Sequence, residues 1–386
     1  MNYDCSVNTS SLYIHWPFCP YKCNFCPFVA LAGHDQFMQQ YHTILVKEIQ
    51  DFVNSNSEKR HLETIFMGGG TPSTYPNNLL LDTFDTLYKG FHIDKTTEIS
   101  IEINPGTVKH EQLAVWKDVG INRLSIGVQS LKDPVLRALN RYQSADDVEW
   151  LLGQASALFD NISVDLILGL PDVSVSEWKE LLARVVSWPI THVSVYFLTV
   201  HENTPLYFKV QRNQVVLPPD DTIIDLYHWT VDFLAQHGLK QYELSNFARE
   251  GYECKHNTAY WERKPYKGVG LGACSFDGLL RLQNEKNLMK YMAWVEKQQF
   301  SPVISVERLT QEQVHLEKLM LGLRRAAGIA RFDLMVGVKQ GRSNQCSQKI
   351  DMLIENGFLR EKNDRLVLTP KGLILENEII VQLAPD

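Results

Sequence analysis

No run of apolar residues in this chain comes near the roughly twenty needed to cross a bilayer, so no integral membrane segment is expected. Cation is not in excess either: 38 Lys and Arg stand against 45 Asp and Glu, a formal net charge of −7. That balance gives no general electrostatic reason to bind nucleic acid or an anionic membrane. Low-complexity tracts and an obvious linker are missing. The opening MNYDCSVNTSS has neither basic residues nor an apolar core, so it does not read as a secretory signal. Cysteine is scarce and odd in number, seven in 386 residues, which argues against a disulfide framework and for a reducing cytoplasm. Four of the seven, Cys5, Cys254, Cys274 and Cys346, lie scattered. The plain reading of Cys5 and Cys346 is a small buried hydrophobe.

What is present is a repeated unit. Short β-branched runs alternate with amphipathic helical stretches: SLYIHW (11–16), TIFMGG (64–69), EISIEIN (98–104), RLSIGVQ (123–129), ISVDLILGL (162–170) and HVSVYFL (192–198). Such alternation, with near-continuous apolar strands, predicts a parallel sheet covered by helices. Six units are too few for a closed eight-stranded barrel. The expected fold class is therefore α/β, a partial, open (β/α)6 TIM-like barrel over residues 1–215. Residues 216–304 are expected to extend it, with a helix in DDTIIDLYHWTVDFLAQHGL and a strand in KQYELSNFA. Residues 305–386 read as a small C-terminal α+β domain in a winged-helix-like order, without the basic stripe that DNA binding needs. A packing or lid role is expected for it.

The unusual residues gather at one end of these strands. Three cysteines follow the first run, GGGTP (68–72) follows the second, and Glu102 and Asn104 end the third. Gln129 ends the fourth, and Asp165 lies in the fifth ahead of GLP. In parallel barrels the carboxyl ends of the strands converge on one mouth, so the mouth is the expected site.

The cysteines in HWPFCPYKCNFCPF (15–28) are spaced Cys-x3-Cys-x2-Cys and have no fourth nearby. A structural zinc ion is closed by four ligands, and here His15 or His34 would have to be the fourth. An ordinary ferredoxin-type cluster also takes four cysteines. Three thiolates can instead hold three corners of a [4Fe–4S] cube and leave one iron open to a ligand, as chemistry at a metal requires. The residues alone leave zinc and cluster both open.

The pattern of Cys19, Cys23, Phe25 and Cys26 after a strand resembles the radical S-adenosylmethionine superfamily. That resemblance implies a [4Fe–4S] cluster held by the three cysteines, which cleaves S-adenosylmethionine to a 5′-deoxyadenosyl radical. It also implies that GGGTP binds the methionine amino group. YIHWPFC, GGGTPS, EINPGT, RLSIGVQS, NRYQ and VDLILGLP together resemble the oxygen-independent coproporphyrinogen oxidase family, from about Tyr13 to the C-terminus. Carried over, Tyr13, Gly69, Gly70, Thr71 and Glu102 are implied S-adenosylmethionine contacts. Phe25, Gln129, Arg141 and Asp165 are implied further nucleotide contacts.

Two departures point away from the oxidase itself. Oxidases carry a fourth cysteine where this chain has Phe28, and a long segment before the first strand where this chain has about a dozen residues. HNTAYW (256–261), between QYELSNFAREGYECK and YKGVGLGA, resembles instead the heme-chaperone branch of the family. That implies heme as a ligand, with His256 on its iron and Tyr260 and Trp261 covering a porphyrin face. Cys254 is an alternative thiolate. It also implies heme-accepting proteins, respiratory enzymes among them, as partners. The residues alone equally allow His256 to hydrogen-bond a loop and the two aromatics to be core. Decarboxylation of a porphyrinogen propionate and radical modification of heme are the alternative activities. Pro27 and Cys274 stand where that branch commonly has aspartate and histidine.

Overall fold

All six apolar runs form strands: β1 Ser11–Trp16, β2 Thr64–Gly69, β3 Glu98–Ile103, β4 Arg123–Gln129, β5 Asn161–Leu168 and β6 His192–Phe197. They lie side by side in chain order, each parallel to the next. The computed structural model describes residues 9–55, 58–296, 303–336 and 343–384; Cys5 lies outside them. Residues on β4 are buried from Arg123 to Val128, as expected of a strand covered on both faces. The covering helices show the reason in their sequences. On the helix Met38–Asn54, Tyr41, Ile44, Leu45, Ile49 and Phe52 recur at helical spacing and are all buried. Ser144 and Ser174 start two others, each accepting from the backbone N–H three residues on, with Asp147 and Glu177 completing the capping boxes.

The sheet is wider than six strands. Beyond β6 lie β7 Lys240–Gln241 and β8 Asn246–Ala248, and on the other edge β9 Lys267–Val269 runs parallel to β1. KQYELSNFA was expected as one strand and is two antiparallel ones. The Glu243 carboxylate accepts from Ser245 N and Asn246 Nδ2, which folds the chain back at that point. No strand was expected at β9, because its one apolar residue, Val269, stands between Gly268 and Gly270.

Glycine matters most after β2. Gly69 has φ +124°, and a Cβ on Gly70 would lie 2.4 Å from the carbonyl oxygen of Pro17. The turn therefore lies directly on the segment leading to the first cysteine. Gly70 N donates to Trp16 O (2.8 Å) and Thr71 N to Phe18 O (2.9 Å). The glycine turn and the cysteine loop are thus one rigid piece.

The C-terminal unit has its own core of Leu319, Leu323, Ile350, Leu359, Leu366 and Ile380 beneath a three-stranded sheet. Cys346 is buried there, as read from the sequence. Among the described residues, no helix is long and apolar enough to cross a membrane.

Candidate functional site

A cavity of about 510 Å³ opens at the carboxyl ends of β1 to β6. The structure brings Cys19, Cys23, Phe25, Cys26, Gly69, Gly70, Thr71, Glu102, Gln129, Arg141 and Asp165 to its wall. The donors around the thiols suit anionic sulfur: Thr71 Oγ1 donates to Cys19 Sγ (3.2 Å), and Arg141 Nη1 lies 3.6 Å from Cys23 Sγ. Arg141 is itself fixed, with Nε donating to Gln143 Oε1 (3.0 Å) and Nη2 to Gly127 O (2.5 Å).

The donor set can be tested against zinc and against a cluster. Sulfurs sharing one tetrahedral zinc lie about 4 Å apart. Among the described residues, only His61, His92 and Asp94 bring three ligand atoms within 4.8 Å, and they are exposed ahead of β2 and β3. The three cysteine sulfurs do not converge that closely. His15 is no fourth ligand, because Nδ1 faces Tyr13 OH (3.0 Å) and Nε2 the carbonyl of Val29 (2.8 Å). The Nδ1 of His34 is bonded to Ala32 O (2.8 Å). Three thiols beside a hydroxyl and a guanidinium donor, with His15 engaged elsewhere, suit the three protein ligands of a cube with one open iron.

The deeper wall is polar. Glu102 accepts from Gly69 N (3.1 Å), and Ser125 Oγ donates to Asp165 Oδ2 (3.1 Å). Asp165 Oδ1 and Asn104 Oδ1 are buried acceptors with no hydrogen bond among the described residues. Unsatisfied acceptors on a cavity wall fit a ligand rich in amino and hydroxyl donors. Burial, then the nearby negative charge of Asp165, pushes the Glu102 carboxyl up from 4.5 to about 7. The folded state then binds this proton more tightly than the unfolded chain does. Unfolding free energy should therefore fall as pH rises from about 5 to about 7. Glu102→Gln should flatten that stretch of the ligand-free melting-temperature profile. Parallel profiles for the two proteins would count against it.

Below, a second cavity of about 190 Å³ shares Glu102, Ser125, Asp165 and Tyr196 with the first. Tyr13, on β1, lines this one and not the mouth. The floor is the helix Lys255–Trp261, which carries His256. His256 is 1% exposed, with Nδ1 paired to Thr64 Oγ1 and Nε2 to Tyr260 OH, both at 2.8 Å. Its ring stacks on Phe66 with centroids 5.1 Å apart. Burial, then Arg123, lowers its pKa to about 3, so it is neutral. Both ring nitrogens are thus engaged over the small cavity. Tyr260 is likewise turned inward, and Trp261 packs beneath Arg324. Cys254 is fully buried at the helix start, accepting from Asn257 N. Cys274 lies beside Gln283 Nε2 (3.5 Å) and lines neither cavity.

Residues 13–185 match the Radical SAM superfamily, and residues 309–375 match the HemN C-terminal domain. The chain is 32% identical to the heme chaperone HemW of Bacillus subtilis (strain 168), over 96% of this chain and 97% of that one. It is 34% identical to the heme chaperone HemW of Synechocystis sp., over 99% and 98%. The chain belongs to the HemW family. Its fold is shared beyond that family. The Escherichia coli coproporphyrinogen III oxidase HemN, a radical SAM enzyme, matches over 98% of this chain and 90% of its own, with TM-score 0.83 and 24% identity. For the HemW family member described here, the thiol loop, the glycine turn and the polar wall all face one mouth.

Proposed function

We propose that this protein is a heme chaperone, which binds heme and passes it to acceptor proteins in a reducing cytoplasm, respiratory enzymes among them. In this reading it carries a [4Fe–4S] cluster and S-adenosylmethionine at the barrel mouth. The observation that carries the reading is full-length identity to heme chaperones of the HemW family. Cys19, Cys23 and Cys26 hold the cluster, which supplies one-electron chemistry and an open iron when bound. Thr71 donates to Cys19 and Arg141 lies beside Cys23, which offsets part of the burial that pushes the Cys19 thiol up to about 11 until a metal takes its proton's place. Gly69 and Gly70 let a ligand approach backbone, and Asp165 and Asn104 accept from its donors. Gln129, held at φ +64°, and Phe25 complete the wall. Phe28, 66% exposed beside the thiols, stands where the oxidase relatives use a further cysteine, which favours binding over oxidase turnover.

The test is anaerobic, cluster-reconstituted protein titrated with hemin and, separately, incubated with coproporphyrinogen and S-adenosylmethionine. Saturable uptake of about one heme per chain, with no protoporphyrinogen formed, is the expected result. Steady conversion of coproporphyrinogen without stable heme uptake would favour the oxidase. A linear or methylated tetrapyrrole formed from heme would favour the modifying enzyme.

A further inference from the structure

The amino-terminal end of the barrel, opposite the mouth, carries three side chains that neither the iron–sulfur nor the nucleotide chemistry uses. His61 stands just before β2, and His92 and Asp94 stand before β3. The two entering segments are paired. Leu62 N donates to His92 O (3.0 Å) and His92 N to Arg60 O (2.8 Å), so the two histidines lie side by side in a parallel bridge. Thr97 closes the frame. Its hydroxyl donates to Leu62 O (2.7 Å) and accepts from Asp94 N (3.2 Å), and Thr97 N donates to Asp94 O (3.1 Å). The three side chains therefore rise from one fixed piece of backbone.

The carboxylate is aimed as well. Asp94 Oδ1 accepts from Thr96 N (2.7 Å) and Thr96 Oγ1 (2.6 Å), which leaves Oδ2 facing both imidazoles. His61 Nε2 lies 3.2 Å from Oδ2, and His92 Nε2 lies 3.7 Å from it. Ligands that share one tetrahedral ion at bonds of roughly 2.0–2.2 Å stand about 3.4 Å apart, so both spacings match. The rings of His61 and His92 are exposed, with centroids 5.4 Å apart, so side-chain rotation alone can draw their nitrogens onto one ion. Arg60, the neighbouring cation, is engaged over the ring of Phe52, 4.9 Å from its centroid.

We propose that His61, His92 and Asp94 form a binding site for a divalent first-row cation of the zinc class, at the end of the barrel away from the mouth. Two imidazoles and one carboxylate suit zinc and its neighbours, whereas magnesium and calcium take oxygen ligands. Three protein ligands leave a further position open to water on the exposed side. The ion bridges the segments entering β2 and β3, at the face where parallel barrels secure their stability rather than their chemistry. The site stands whether or not heme is the cargo.

The experiment is zinc titration of untagged, cluster-reconstituted full-length protein, read by calorimetry and melting temperature on wild type, His92→Ala, Asp94→Asn and Cys274→Ser. With the cluster in place the mouth cysteines are occupied, and Cys274→Ser removes the one other thiol that is not buried among the described residues. Wild type should take up about one zinc ion per chain with micromolar affinity and melt at a higher temperature once loaded. His92→Ala and Asp94→Asn should each weaken zinc binding about tenfold or more and lose the zinc-dependent rise in melting temperature. Their iron and sulfide should stay at wild-type levels. Asparagine keeps an acceptor for Thr96, so the turn survives and only the anionic ligand is lost. Cys274→Ser should bind as wild type does. The site is overturned if wild type takes up no zinc below millimolar concentration. It is equally overturned if either His92→Ala or Asp94→Asn binds zinc as wild type does, or if Cys274→Ser abolishes uptake. Both variants replace exposed side chains, and metal-free melting temperatures equal to wild type would show them folded.

Discussion

Replacing Cys19, Cys23 and Cys26 together by serine should take iron and sulfide from about four of each per chain to near zero after anaerobic reconstitution. The loss should be all but complete because, among the described residues, these are the only thiols at the mouth. Cys254 and Cys346 are buried, and Cys274 faces Gln283. Serine keeps an oxygen in place of each sulfur, so Thr71 retains a partner and the loop retains its backbone bonds to the glycine turn. The triple variant should therefore melt as a folded protein. Iron analysis, sulfide analysis and the visible absorbance of the cluster measure the effect directly. Retention of iron and sulfide by the triple variant would show that other ligands hold the metal. Stoichiometric zinc in the wild type, with no iron, would discard the cube altogether.

Much of this site was readable because its signals are local. Cys-x3-Cys-x2-Cys, GGGTP and the polar residues ending successive apolar runs each occupy a few adjacent positions, and parallel topology carries them to one mouth. The strands were equally plain, since six buried runs broken by amphipathic helices leave little choice of architecture. What stayed hidden depends on distant pairing. HNTAYW carries a histidine and two aromatics, which suit a ligand site and a packed helix equally well. Only Thr64, 192 residues away, fixes Nδ1 of His256. Lys267–Val269 gave no strand signal because Val269, alone between two glycines, joins a strand only beside β1. His61, His92 and Asp94 gave no signal as a set. They meet only because Leu62 and His92 pair the segments entering β2 and β3.

Arg123→Met should destabilise the protein by about 3–5 kcal/mol, the cost of stripping a buried charge of its partner. Arg123 opens β4 and is 2% exposed. Burial opposes its charge, but the surrounding Cys254, Glu98, Tyr242 and Asp165 raise its pKa further, so it stays a cation. Glu98, also buried, accepts from Lys255 N (3.0 Å) and His256 N (3.1 Å) and so anchors the first turn of the floor helix. Methionine is close to arginine in reach and adds no clash, so the variant isolates the lost charge. Glu98 and Asp165 would then lose the cation whose field reaches them both. Adding Glu98→Gln should recover part of the loss, because the uncharged amide oxygen still accepts from one of the two helix N–H groups. Urea melts of the two single variants and the double variant measure that coupling. Additive losses would mean that Arg123 and Glu98 act independently. Recovery would mean that the charges of Arg123 and Glu98 are coupled in the barrel floor, beneath the mouth.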